Sequence, residues 1–202
     1  MVRLYITRHG ETEWNLQGRY QGWSESDLTQ KGMDDAAALG IHLKDIVFDK
    51  AYTSPLRRAV QTAEIVCRGK NLRPILDESL KEINMGDWEG LLYDDIKRQY
   101  REDYEAFWQY PHQYNPKKGE TFYMLQDRVG QFLRRVVDTD TGNILVVSHA
   151  AAIKALMMAV KRMPLERLWD PPFVHGTCLT VVDMDGDSAR ILCECDMPHI
   201  SR

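Results

Sequence analysis

Two short apolar runs far apart in the chain, Leu4-Tyr5-Ile6 and Ile144-Leu145-Val146-Val147, each lead to a histidine: His9 after Thr7-Arg8, and His149 after Ser148. Bulky, partly β-branched runs without a polar face suit strands covered on both sides, as in parallel sheets. Parallel strands need crossovers, and helical patterns at about 29–44, 56–69, 91–109, 120–138 and 149–161 supply them between strand signals at about 2–7, 48–53, 143–148, 177–184 and 188–195. The alternation predicts an α/β chain folded as a three-layer α/β/α sandwich. The last two strand patterns flank Asp185-Gly186-Asp187, which is hairpin chemistry, so the mostly parallel sheet should carry an antiparallel edge strand.

In open sheets of this kind the ligand crevice lies outside the carboxyl ends of the strands, where residues distant in sequence meet. His9 and His149 both sit at such an exit. A third junction, Thr53-Ser54-Pro55-Leu56-Arg57-Arg58-Ala59, turns a strand into a helix and brings arginine into the first helical turn, where free N–H groups also favour an anion. A lone histidine in a turn is ordinarily a surface or capping residue; three junctions bearing His, His and Arg are a stronger signal. Arg8 beside His9 repels a metal cation but suits phosphate, with His9 the candidate nucleophile. Transfer of phosphorus to an imidazole also requires an acid to protonate the departing alkoxide. Glu82 can meet that need, with Glu78 and Glu89 as competitors, although composition alone reads it as a solvated glutamate in Asp77-Glu78-Ser79-Leu80-Lys81-Glu82. No acidic residue pairs with a histidine at helical spacing in a convincing metal set, so no metal and no cofactor is expected. His42, His112, His175 and His199 read as surface or loop residues, His175 standing out because it precedes a strand.

At 202 residues the chain suits a single domain, 1–202, large enough to bury roughly 70% of its unfolded surface. The net charge of −4, with both signs interspersed, argues against nucleic-acid or membrane partners and for local capture of a small anion. No apolar stretch is long enough to span a bilayer and no leader pattern follows Met1, so a cytoplasmic location is expected. Cys67, Cys178, Cys193 and Cys195 read as reduced structural thiols. Oligomeric state leaves no readable mark. Tyr100, Tyr104, Phe107, Trp108, Tyr110 and Tyr114 crowd a stretch broken by Pro111 and Pro116. Residues 91–118 are therefore either a cap or lid lining a substrate pocket, or an ordinary helical excursion with its aromatic face on the body.

Arg8-His9-Gly10-Glu11-Thr12 with Trp14-Asn15, Gly18-Arg19-Tyr20-Gln21-Gly22, Ser54-Pro55-Leu56-Arg57-Arg58-Ala59, Glu82 with Gly86-Asp87-Trp88-Glu89-Gly90, Gly119-Glu120-Thr121 and Ser148-His149 resemble, in order, the histidine phosphatase superfamily and its phosphoglycerate-mutase-like fold. The resemblance implies a metal-independent phosphomonoester hydrolase working through a phosphohistidine on His9. It further implies that Arg8, Arg58 and His149 hold the phosphoryl oxygens and that Glu82 is the general acid. Asn15 is similar to an added phosphate contact, and Gln21 with Gly22 to residues on the substrate side. Gln21, the Gly86–Gly90 motif and the short interval from Gly90 to Gly119 resemble the phosphatases of the family more than the mutases. Asp27 and Ala150 depart from the phosphatase pattern, Asp27 toward the mutases. Mutase-type phosphoryl transfer and an inert binder of a phosphorylated ligand are the alternatives.

Overall fold

The computed structural model describes residues 1–200. The strands are β1 (Val2–Arg8), β2 (Lys50–Thr53), β3 (Ile75–Leu76), β4 (Gly142–Ser148), β5 (Leu179–Asp185) and β6 (Ser188–Asp196). The helices are α1 (Glu13–Leu16), α2 (Gln30–His42), α3 (Arg57–Val66), α4 (Tyr93–Gln99), α5 (Arg101–Gln109), α6 (Phe122–Thr139) and α7 (Ala150–Lys161). One sheet runs β3-β2-β4-β1-β5-β6. The β1–β4, β2–β4 and β2–β3 pairs are parallel, while β1–β5 and β5–β6 are antiparallel. The expected antiparallel edge is thus present and two strands wide.

Strand alternation divides the core. Leu4, Ile6, Ile144 and Val146 point into one buried cluster, with α6, α7 and the aromatic residues Trp88, Phe107, Tyr114 and Phe122. Tyr5, Leu145 and Val147 point to the opposite face, against Leu39, Ala59, Ala63 and Val66 of α2 and α3. Covering both faces is what an apolar run without a polar side demands. In α6, Leu125, Val129, Phe132, Leu133 and Val136 recur at helical spacing and are buried. α7 is buried almost all round, and Lys154 is the one charged residue among its buried positions.

Register places the site. Arg8 pairs with Ser148, and Thr53 with Val147. The ladder then extends past the strand ends, with His9 N–H donating to Ser148 O at 3.0 Å and Ser54 N–H to Val147 O at 3.0 Å. Three sequence-distant strand exits therefore lie side by side.

The helical pattern at 91–109 is broken at Tyr100, whose φ of −126° and ψ of 46° end α4 and start α5. Tyr100 turns onto Trp88, with ring centroids 6.3 Å apart. Phe107 of α5 and Tyr114 beyond it are buried in the core, and Phe107 lies near Trp169, ring centroids 5.4 Å apart. The stretch thus packs its aromatic face on the body while also lining a cavity. α1 and β3, at four and two residues, are too short for periodicity to reveal. No helix among the described residues is long and apolar enough to cross a membrane.

Candidate active site

The backbone after β1 is pinned from two directions. Gly10 N–H donates to Thr62 Oγ1 of α3 at 3.0 Å, and that hydroxyl donates to Arg58 O at 2.7 Å. On the α2 side, a Cβ on Gly10 would lie 2.4 Å from Gly32 O, and one on Gly32 would lie 2.2 Å from Glu11 O. Only bare backbone fits at both positions. His9, fixed on this loop, is buried. Its Nδ1 lies 2.7 Å from Gly10 O, an acceptor only, so Nδ1 carries the proton and Nε2 keeps its lone pair. Burial first, then the charges of Arg8 and Arg58, hold the His9 imidazole well below its ordinary pKa, outweighing the opposing hydrogen bond to Gly10.

Around this ring the buried donors are unspent. Arg8 spends one terminal nitrogen on Val174 O at 3.0 Å, and Arg58 donates to Ser24 O at 2.9 Å and Gly22 O at 2.7 Å. The Nε atoms of both, and Nδ1 of His149, are buried without a partner. His149 lies beside His9, ring centroids 5.1 Å apart, and its Nε2 is 2.7 Å from Ser54 Oγ. Ser54 Oγ also accepts from Leu56 N–H; with its own hydrogen given to Nε2, the proton of His149 is on Nδ1. Burial, then Arg58 and His9, push the His149 pKa down as well. Burial lowers Arg58 to about 10, which leaves it protonated at neutral pH. Each buried donor without a partner costs about 1–3 kcal/mol, a cost that an anion bound among them offsets.

Asn15 and Glu82 border the same cavity, of about 300 Å³. Asn15 Oδ1 accepts from Thr12 N–H and Thr12 Oγ1, both at 3.0 Å, closing a capping box on α1. With the oxygen so occupied, the amide nitrogen remains for the cavity. The Glu82 carboxylate accepts from Ile83 N–H at 2.9 Å and from Ala151 and Ala152 N–H at 3.2 Å, seated on the N-terminus of α7. Gln21, Gly22 and Ala150 line the cavity too. At Gly22, φ is +52° and a Cβ would meet Glu89 Oε1 at 2.3 Å, so this turn requires glycine. The opposite wall is aromatic: Tyr20, Tyr93, Tyr104, Phe107, Trp108 and Trp169.

Other candidates from the sequence lie elsewhere. Glu89 is committed to Trp23 N–H, Ser24 Oγ and Met85 N–H, and Glu78 is exposed and pairs with Lys81. Arg57 is exposed and pairs with Asp27 at 3.0 Å, which places the Asp27 departure at the surface. His175 is exposed and outside the cavity. The four cysteines are free, and among the described residues no His, Cys, Asp or Glu cluster has the makings of a metal site.

Three contributors escaped the sequence reading. Thr62 positions the His9 loop. Arg128 uses all five of its N–H groups, on Ser79 O, Lys81 O, Glu82 O and both oxygens of Glu120, and so clasps the segment bearing Glu82. Lys154 lines the cavity from α7, and a lysine interrupting an unbroken apolar helix was the available signal.

Residues 4–196 match the model of the histidine phosphatase superfamily, branch 1. Phosphoserine phosphatase 1 of Hydrogenobacter thermophilus is 34% identical over 170 residues, covering 84% of this chain and 81% of that protein. A 2,3-bisphosphoglycerate-dependent phosphoglycerate mutase of Bartonella tribocorum is 32% identical over 181 residues, covering 86% and 88%. Among solved structures, Bacillus stearothermophilus YhfR superimposes with a TM-score of 0.96 at 42% identity over 100% of both chains. The order of motifs, the strand exits and these likenesses agree: the chain belongs to branch 1 of the histidine phosphatase superfamily.

Proposed function

We propose that the protein hydrolyses small organic phosphomonoesters, with His9 as nucleophile. The observation that carries this reading is a neutral, buried imidazole among three unpartnered buried donors, Arg8 Nε, Arg58 Nε and His149 Nδ1, with Glu82 bordering the same cavity. Phosphoryl transfer needs positioning and charge neutralisation more than covalent ingenuity, and these groups supply both. In the first step Glu82, which takes up a proton when the negatively charged phosphate ester binds beside it, gives that proton to the departing oxygen as His9 Nε2 attacks phosphorus and the P–O bond to the alcohol breaks. Arg8, Arg58, His149 and the Asn15 amide hold the three non-bridging oxygens. In the second step Glu82, now a carboxylate, takes a proton from water as it attacks phosphorus and the P–N bond breaks.

The carboxylate of Glu82 argues against an inert binder, since a phosphate receptor gains nothing from an acid there. Asp27, the residue that resembles the mutases, faces solvent with Arg57 and gives transfer between substrate positions no support. In this proposal residues 91–118 are a fixed aromatic cap within a single catalytic domain. It accommodates the organic portion of the substrate, such as the phosphoserine or phosphoglycerate named for relatives.

Incubation with p-nitrophenyl phosphate in the presence of a chelator tests the reading. Wild-type protein should release p-nitrophenol and His9→Ala should not. Silence from both, or equal rates, refutes it. Phosphoglycerate interconversion that depends on bisphosphoglycerate and outpaces phosphate release would instead establish a mutase.

A further inference from the structure

Lys154 is an anomaly that the phosphoryl chemistry leaves unused. It sits in the first half of α7 with Ala151, Ala152, Ile153, Ala155, Leu156, Met157 and Met158, all buried, and is itself only 9% exposed. Its ammonium donates to the backbone carbonyl of Asp170, and among the described residues no carboxylate forms an ion pair with it. The Asp170 carboxylate is itself taken by Arg167, at 2.7 Å. A buried ammonium with three donors and a single neutral acceptor is costly unless a counter-charge arrives. Burial accordingly pushes the Lys154 pKa down.

Its place in the cavity says where that counter-charge comes from. Lys154 lies one helical turn beyond Ala150 and Ala151, and all three line the same cavity as His9 and Arg58. It stands five positions after His149, about 7.5 Å along the helix axis at the α-helical rise. Tyr20, Tyr104 and Trp108 line this cavity as well, which suits an apolar or flat body.

We propose that Lys154 is a specificity-determining residue that pairs with a carboxylate carried on the alcohol portion of the substrate, so that the enzyme selects phosphomonoesters with a second anion several bonds from the phosphate. The inference rests on the hydrolase reading and refines it. The phosphate end supplies chemistry common to all substrates, whereas the Lys154 end discriminates among them. A charge-assisted hydrogen bond formed out of water is of the strength such selection requires.

Phenyl phosphate and 3-carboxyphenyl phosphate form a matched pair, alike in leaving group and differing in the carboxylate. Wild-type protein should prefer the carboxylated ester. Lys154→Met, which keeps the apolar stem, should lower the ratio of kcat/KM between the carboxylated ester and phenyl phosphate by about tenfold or more. Lys154→Arg should retain part of the preference. Equal losses on both esters would mean that Lys154 merely anchors the Asp170 segment, and no loss on either would mean that its charge is unused; each overturns the proposal. Inhibition gives a second check: 3-hydroxybenzoate should inhibit phenyl phosphate hydrolysis about tenfold or more better than 3-hydroxybenzyl alcohol with wild-type protein, and most of that advantage should vanish in Lys154→Met, which leaves the phosphate cradle intact. Equal inhibition refutes the site. Silence of wild-type protein on phenyl phosphate is a different failure, that of the hydrolase reading, and takes the proposal with it.

Discussion

Replacing Arg128 by methionine should uncouple the acid from the nucleophile while leaving the phosphate cradle whole. The guanidinium donates to Ser79 O at 2.8 Å, Lys81 O at 2.7 Å and Glu82 O at 2.8 Å, and makes paired bonds to Glu120 at 2.9 and 2.8 Å. Glu120 in turn accepts from Asn84 N–H at 2.9 Å, so the whole turn around Glu82 hangs from this one pair. The side chains are 18% and 12% exposed, well inside the range where solvent screening is weak. Methionine keeps the stem but strands a buried carboxylate and the Ser79 and Lys81 carbonyls, while Glu82 O keeps the Trp23 indole N–H at 2.8 Å. Removing one partner of such a pair costs about 3–5 kcal/mol. For a chain of this size each kcal/mol lowers Tm by about 2–4 °C, so a fall of roughly 6–20 °C is expected in a thermal melt. The chemical consequence is selective. With Glu82 displaced, esters of alkyl alcohols, whose leaving groups need protonation, should slow by about tenfold or more beyond any loss on p-nitrophenyl phosphate. An unchanged Tm, or equal slowing of alkyl and aryl esters in a folded variant, would refute the argument that Arg128 positions the acid.

Glu82→Gln should show the same alkyl-over-aryl selectivity with a smaller loss of stability, because the amide oxygen still accepts from Ile83 and Ala152 N–H and only the Ala151 N–H loses its acceptor; steady-state rates on the two ester classes decide it. Asn15→Asp keeps the oxygen that caps α1 but turns the amide donor into an anionic acceptor facing the phosphate, so kcat/KM should fall by about tenfold or more at nearly constant Tm. A normal rate would remove Asn15 from the phosphate contacts. Because burial and Arg8 lower the His9 pKa below its unfolded value, the folded protein keeps this ring neutral where the unfolded chain takes up a proton. Its contribution to stability is complete above about pH 6.5 and is lost as pH falls through that value toward the folded pKa. NMR titration of the His9 ring should therefore show neutral imidazole at pH 6, and a midpoint near 6.5 would contradict the electrostatic account.

The strand exits were legible because they combine two independent local signals. A run such as Ile144-Leu145-Val146-Val147 states that it is buried on both faces, and a histidine following it must then emerge at the crevice. Glu82 is of another kind. It follows no regular strand, its neighbours Glu78 and Glu89 are chemically identical, and only resemblance to the family singled it out; in space the backbone of α7 holds it and Arg128 secures its turn. Arg128 itself sits within the periodic helix α6 as an ordinary polar position, and three of its five hydrogen bonds go to backbone carbonyls, which carry no residue code. The Gly119-Glu120 motif has a similar explanation: a Cβ at Gly119, where φ is +103°, would meet Asn84 O at 2.4 Å, so the motif clasps the turn that follows Glu82. The break at Tyr100 was hidden because the helical pattern continues on either side of it and one residue in a non-helical conformation leaves the periodicity intact. Lys154 was passed over because periodicity rewards the apolar residues around it and is blind to one charge among them.

The central claim is that the imidazole at position 9, and not its neighbour at 149, receives the phosphoryl group. Alkaline quenching during steady turnover, followed by digestion and mass spectrometry of the two histidine peptides, measures this directly. The account predicts an acid-labile N-phosphate on Nε2 of His9, none on His149, and none anywhere in His9→Ala. Phosphate on His149, or a turning-over enzyme with neither ring modified, would contradict it.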